Sequence, residues 1–314
     1  MIEKNPASAA KVNKYKALAR DVVEHHFGSR PRRIYHKSAG LSNFVFAVKH
    51  SEGDFVVRIS PDSAAINSFI KEQWAQNAAR KAGVPTAEIL EVGSAVIPHP
   101  YMITRTVSGT DALHHDKRSA IVQEMGRLTA LINSIRTKNW GATFDWSNNQ
   151  LSRNKTWKEY IENEYRYEDK LAVLERHKAV SPIQSKAITR IFADAVRMKP
   201  KSALNHGDIR LKNVLADEKG KITAIIDWEN STSNLAPHWE LSLALHDLNI
   251  DEKQHFINGY GLTPKKMQEI APLAKAFNML NYTIEVERLA AVKDKDGLEK
   301  IRLRTSGVFD LYSL

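Results

Sequence analysis

The 314-residue chain contains no cysteine. Disulfides, thiolate catalysis and thiolate metal sites are therefore all excluded. No apolar run is long enough to cross a membrane. The N-terminus carries Lys4, Lys11, Lys14 and Lys16 but not the compact apolar stretch of a secretion signal. Internal repeats and low-complexity segments are also missing. What remains is an ordinary globular composition, 42% apolar and 26% charged, long enough for one large core or, more naturally, two lobes. A cytoplasmic location is the simplest expectation. Acid is scarce relative to base: 36 Asp and Glu stand against 46 Lys and Arg, a formal charge of +10. Basic proteins often bind nucleic acid or anionic surfaces. Here the excess is uneven, with nine basic and three acidic residues in positions 1–37, and no nucleic-acid-binding motif accompanies it.

Periodicity changes along the chain. Tyr15, Leu18, Val22 and His26 fall near helical spacing and predict a leading helix from Val12 to Phe27. Three strands follow at Ile34–Lys37, Phe44–Lys49 and Phe55–Ile59, the last two joined by Ser51-Glu52-Gly53-Asp54. The small-residue loop between the first two includes Gly40, Ser42 and Asn43, and such a loop can lay backbone N–H groups over phosphates. Arg58 lies in the third strand, either facing outward or holding an anion. A helix then runs from an N-cap near Asp62-Ser63 to Gly83, with Ile66, Ile70, Trp74 and Ala78 as its expected apolar stripe and Glu72 off it. Ile89–Val92 and Tyr101–Thr106 add two strands, and Thr104–Gly109 reads as a hinge. Beyond Asp111 the pattern is mostly helical. Ile121, Met125, Leu128, Ile132 and Ile135 form one regular stripe, and Trp140, Trp146, Trp157, Tyr160, Tyr165 and Tyr167 read as helix anchors rather than a pocket lining.

The stretch from Asn205 to Glu229 carries the chemistry. Val214-Leu215-Ala216 and Ile222–Ile226 predict a hairpin that returns Asp227 beside the loop from Asp208 to Asn213. Asn213 and Asp227 offer hard oxygen ligands suited to Mg²⁺, which fills the rest of its shell with waters and substrate phosphates. Asp208 is then left to accept the proton of an attacking hydroxyl. The spacing matches the kinase catalytic loop, an Asp followed five positions later by Asn and then by a metal-holding Asp. Taken singly, each of these residues also suits a turn or a helix cap.

His206-Gly207-Asp208 with Asn213, followed by Ile226-Asp227-Trp228-Glu229, resembles the aminoglycoside phosphotransferase and choline kinase-like family of small-molecule kinases. The similarity extends over about positions 34–261. It takes in Gly83-Val84-Pro85-Thr86, Ala236-Pro237-His238-Trp239-Glu240-Leu241 and Phe256-Ile257-Asn258-Gly259-Tyr260-Gly261. The resemblance implies a bilobal α+β protein-kinase-like fold: a small five-stranded antiparallel nucleotide-binding lobe (1–106) and a mostly helical catalytic and acceptor-binding lobe (107–314). It implies ATP as co-substrate, with GTP as the alternative nucleotide, and Mg²⁺. The Gly40, Ser42 and Asn43 loop would cover the phosphates, and Arg58, paired with Glu72, would hold them. Glu240 and His206 would brace the catalytic loop. Arg210, two past the base, either offsets charge on the transferred group or is simply exposed.

The acceptor is expected to be a small neutral or cationic molecule bearing a hydroxyl, because six acids and only Lys253 as a base lie between Asp227 and Tyr260. Of these acids, Glu229 and Asp247 are the expected acceptor contacts, with solvated helix acids as the alternative for both. Two other readings stand beside the kinase. One is a nucleotide-binding pseudokinase or regulatory module, which would have no need to keep Asp208; the other is a basic nucleic-acid-binding protein. No membrane partner is expected.

Overall fold

The computed structural model describes residues 9–37, 43–142 and 154–306. Alternating apolar residues in short runs build one antiparallel sheet at the N-terminal end. Helix α1 (Ala9–Phe27) is followed by β1 (Arg33–Lys37), β2 (Phe44–His50) and β3 (Gly53–Ile59). Helix α2 (Ala65–Lys81), β4 (Ile89–Gly93) and β5 (Tyr101–Arg105) complete this part, and the strand order is β1-β2-β3-β5-β4. The period of two in β3 turns Phe55, Val57 and Ile59 toward α1, where they share a core with Tyr15, Ala19, Val22 and Val23. Val56 and Arg58 consequently face the other side of the sheet, toward α2. The buried stripe of α1 is Tyr15, Ala19, Val22 and Val23, so Leu18 and His26 lie at its edges.

The predicted stripe of α2 is corrected by the structure. Ile70 is exposed, whereas Phe69, Lys71, Glu72, Ala75, Gln76 and Ala79 are buried. The reason is that α2 has two neighbours. Phe69 joins Ile89 and Met102 against the sheet, while Ala75 and Ala79 belong to the core of the helical half beside Trp228 and Ile225. The predicted cap also shifts. Ala64 is the N-cap residue, and Asp62 accepts from its N–H at 2.9 Å.

Past Arg105 the chain enters the helical half. There β6 (Thr110–Asp111) precedes α3 (Arg118–Ser134), and α4 (Trp157–Glu159) runs through a π-turn (Tyr160–Tyr165) into α5 (Tyr167–Arg176) and α6 (Pro182–Val196). Four short strands follow: β7 (Ala203–Asn205), β8 (Val214–Ala216), β9 (Ile222–Ile225) and β10 (Thr232–Asn234). Helices α7 (His238–Ala244), α8 (Ile250–Tyr260), α9 (Pro264–Asn281), α10 (Thr283–Ala291) and α11 (Lys295–Thr305) complete the described chain. Capping residues mark several starts. Ser181 with Gln184 and Asn249 with Glu252 form reciprocal capping boxes, and Pro182 occupies the first turn of α6.

The stripe predicted for α3 is buried from Ile121 to Ile132, and the helix crosses α8 at very short range. A Cβ on Gly259 would lie 1.8 Å from the Gln123 carbonyl, and one on Gly126 would lie 2.1 Å from that of Phe256. Glycine at both positions lets the two backbones touch. Trp140, Trp157, Tyr160 and Tyr165 are buried with Phe192 and Phe277 in a second core, so these aromatics anchor helices as expected. Trp146 lies outside the described residues. Among the described residues no helix is long and apolar enough to cross a membrane.

Candidate active site

The hairpin forms as its sequence requires, with Val214 opposite Ile225, and it brings the end of β9 back to the loop after β7. Within that loop the Asn213 side-chain amide donates to the Asp208 carbonyl at 2.8 Å and to Asp208 Oδ2 at 3.0 Å. With its nitrogen occupied on Asp208, Asn213 keeps its amide oxygen for another partner. Asp208 is buried, and two cations face its carboxylate: Arg210 Nε at 2.7 Å from Oδ1 and Lys212 Nζ at 3.2 Å from Oδ2. The Arg210 contact is an ion pair without the alignment of a hydrogen bond.

Behind the loop sits a fully buried brace. Glu240 accepts the backbone N–H groups of His206 at 2.5 Å and Gly207 at 3.1 Å. Burial raises the Glu240 pKa to about 7, against the lowering effect of those hydrogen bonds. Gly207 has φ +81, and a Cβ there would lie 2.2 Å from the Asn230 carbonyl, so this turn requires glycine. The His206 ring spans to the hairpin. Its Nδ1 accepts the Asp208 N–H at 3.2 Å, and its Nε2–H donates to the Ile226 carbonyl at 3.1 Å. Burial pushes the imidazole pKa down to about 4, which keeps it neutral in this role.

Asp227 follows β9 in the left-handed region, at φ 67, and opens the 3₁₀ turn Trp228–Asn230. Its pKa is raised, first by burial, then by the carboxylate of Glu72 and, to a smaller extent, by that of Asp208, against the lowering effect of Arg58. From the other half, Arg58 forms an ion pair with Glu72 Oε2, and Gln76 Nε2 donates to Glu72 Oε1 at 3.2 Å. Burial opposes the Arg58 charge, but Glu72, with Glu229 and Asp227, more than offsets it and raises the pKa. Glu229 is exposed, yet partial burial of its carboxylate and then Asp227 raise its pKa. Arg58, Glu72, Asp227 and Glu229 therefore share one electrostatic neighbourhood.

The other predicted residues fall as follows. Gly40 and Ser42 lie outside the described residues, while Asn43 directly precedes β2. Asp247 is half exposed, and Arg210 Nη1 lies 3.5 Å from its carboxylate, so Arg210 stands between Asp208 and Asp247. Glu229 and Asp247, both expected at the acceptor, have separate partners. The acids counted between Asp227 and Tyr260 are dispersed as well: Glu240 braces the loop, and Glu252 caps α8 and pairs with Arg118. A cavity of about 1280 Å³ opens beside Arg210, walled by residues of α8 to α11, including Asp251, Glu285, Lys300 and Arg304. Sequence reasoning missed Lys71, which is buried and donates to the Glu229 carbonyl at 2.8 Å. Nothing in the sequence sets Lys71 apart from the other charged residues of α2.

A motif loop of this geometry between a small antiparallel sheet and a helical half defines a small-molecule kinase of protein-kinase-like architecture. The model of the phosphotransferase enzyme family matches residues 37–273, and the chain belongs to that family. Solved structures agree on the fold. The chain is similar to aminoglycoside phosphotransferase APH(4)-Ia, with TM-score 0.66 and 17% identity over 96% of this chain and 98% of that one. A thermostable mutant of that protein, in ternary complex with AMP-PNP and hygromycin B, gives TM-score 0.61 at 17% identity over 92% and 99%. Macrolide 2'-phosphotransferase MphH from Brachybacterium faecium, as apoenzyme, gives 0.57 at 14% over 91% and 97%. No curated protein matches the chain by sequence.

Proposed function

We propose that this kinase transfers the γ-phosphoryl group of ATP to a hydroxyl of a small neutral or cationic acceptor, with Asp208 as the base. The observation that carries the reading is the double hydrogen bond from Asn213 to Asp208, which orients the carboxylate and leaves the Asn213 oxygen free. Asp208 accepts the acceptor's proton as the acceptor oxygen bonds to the γ-phosphorus and the bond to the β-phosphate oxygen breaks, releasing ADP. The Asn213 oxygen and the Asp227 carboxylate fit Mg²⁺: both are hard donors, and the Asp227 pKa is raised by burial and then by nearby carboxylates, whose mutual repulsion a divalent cation would relieve. When bound, the ion supplies charge neutralisation on the β- and γ-phosphates. Arg58, held by Glu72, grips phosphate oxygens, and the Gly40, Ser42 and Asn43 loop covers them. Arg210 leaves Asp208 to meet the transferred group, with Asp247 beside it as second partner. Glu229 and Asp247 contact the acceptor.

Residues 1–106 form the nucleotide lobe and 107–314 the catalytic lobe in this reading, and the enzyme works in the cytoplasm. GTP is the alternative donor. The ligands of the similar structure, AMP-PNP and hygromycin B, support a nucleotide and an amino sugar as the first compounds to try. The test is ADP release across amino sugars, macrolides, choline-like amines, sugar alcohols and anionic analogues. Turnover with a neutral or cationic member is expected, and turnover only with carboxylated or phosphorylated acceptors would overturn the acceptor assignment.

A further inference from the structure

We infer that Lys71 is a positioning residue that ties the turn carrying Asp227 to the helix carrying Glu72. The inference rests on the proposed role of Asp227 as metal ligand. Two consecutive charged residues of α2 are buried, Lys71 at 5% exposure and Glu72 at 2%. They point to different halves of the molecule. Glu72 pairs with Arg58 in the sheet, whereas the Lys71 ammonium donates to the Glu229 carbonyl, two residues past Asp227. A buried lysine is seldom retained without a partner, because desolvation disfavours its charge. Here the carboxylates of Glu72, Glu229 and Glu164 surround the amine and partly compensate, and its pKa is lowered to about 8.

The rest of the contact is buried on both sides. Trp228 is fully buried and donates to the Ile225 carbonyl at 2.9 Å, and Ala75 and Ala79 of α2 pack in the same core. Lys71 is thus the polar end of an otherwise apolar junction between α2 and the 3₁₀ turn. Through it the phosphate-gripping pair Arg58–Glu72 and the metal-holding Asp227 keep a fixed separation. A cation at this position also has an electrostatic effect of opposite sign: its charge repels a divalent metal at Asp227. Positioning and plain charge therefore predict opposite results when the amine is removed.

Isothermal titration of ATP with and without Mg²⁺ separates them, using wild type, Lys71→Met and Lys71→Gln. In the wild type Mg²⁺ is expected to tighten nucleotide binding. In Lys71→Met that increment should shrink about tenfold, the size of one charge-assisted hydrogen bond, with metal-free ATP binding changed less than about twofold. Lys71→Gln keeps a donor without charge and should fall between; it carries the test if the Met variant does not fold. An increment that grows or stays constant in the variants overturns the positioning role. Equal losses with and without Mg²⁺ overturn it too, since a general disturbance of the fold would produce them. Absence of any increment in the wild type would overturn the functional reading of Asp227 and this inference with it.

Discussion

At the scale of single residues, the division of labour around Asp208 makes a sharp prediction. In the proposed mechanism Asp208 meets the acceptor, and the Asn213 amide that hydrogen-bonds to it belongs to a proposed metal ligand. Asp208→Asn should lower turnover by about 10²–10⁴-fold, the range for removing a general base, while Mg-nucleotide affinity stays within a few fold. Asp227→Ala should weaken both. Calorimetric titration beside steady-state rates checks this, and near-wild-type turnover in Asp208→Asn would end the mechanism.

Protonation supplies a second prediction at the same scale. His206 and His238 are held neutral by burial, with pKa values lowered to about 4, and His238 Nδ1 has no hydrogen-bond partner among the described residues. A depressed imidazole pKa means that between about pH 4 and 6.5 the unfolded chain binds protons that the folded chain does not. Stability from each is therefore lost as pH falls through that window. Glu240, raised to about 7, has the opposite sign between about pH 4.5 and 7, where the fold keeps a proton that the unfolded chain releases. His238→Gln should consequently lower the slope of unfolding free energy against pH by about 1.4 kcal/mol per unit between roughly pH 4.5 and 6. Urea unfolding at several pH values measures it, and an unchanged slope would mean that the imidazole is charged in the fold.

At the scale of elements, the strands, the hairpin and the catalytic loop were legible because alternation, turn residues and motif spacing are local signals. Val214 opposite Ile225 follows from alternation and from the turn at Gly220 alone. Helix α2 was not legible in the same way. It packs against a sheet on one side and a helical core on another, so its buried face is wide and includes Lys71, Glu72 and Gln76. An apolar stripe read at spacing four selected Ile66 and Ile70 and left Glu72 off the buried face. The Arg58–Glu72 pair emerged only through the family resemblance, since neither residue signals the other in sequence. Its side chains are 17% and 3% exposed, so screening by solvent is slight. Arg58→Ala and Glu72→Ala should each lower kcat/KM for nucleotide, with a coupling of roughly 0.5–3 kcal/mol in the double variant. Additive losses would show that the two side chains act independently.

At the scale of the whole molecule, the charge of +10 and the chemistry of the cleft are separate matters. Three of the N-terminal cations, Lys11, Lys14 and Lys16, lie on α1, whose apolar face packs on Phe55, Val57 and Ile59. Arg58 leaves β3 on the opposite face, toward α2 and the catalytic loop. The sheet therefore stands between the basic helix and the cleft. Successive layers of a fold are about 10 Å apart, which already equals the distance over which physiological salt screens a charge, about 8–10 Å. Charge on α1 should for that reason have little effect on acceptor choice, whereas it would govern any loose attraction of polyanions. Replacing Lys11, Lys14 and Lys16 together by Gln is expected to leave kcat/KM for the best acceptor within about twofold at physiological salt. The same variant should bind heparin or nucleic acid more weakly and with a shallower salt dependence. Parallel kinetics and salt-gradient retention on heparin test both halves. A large loss of acceptor turnover in the triple variant would place the N-terminal helix within the field of the active site and reject the separation of whole-chain from local charge.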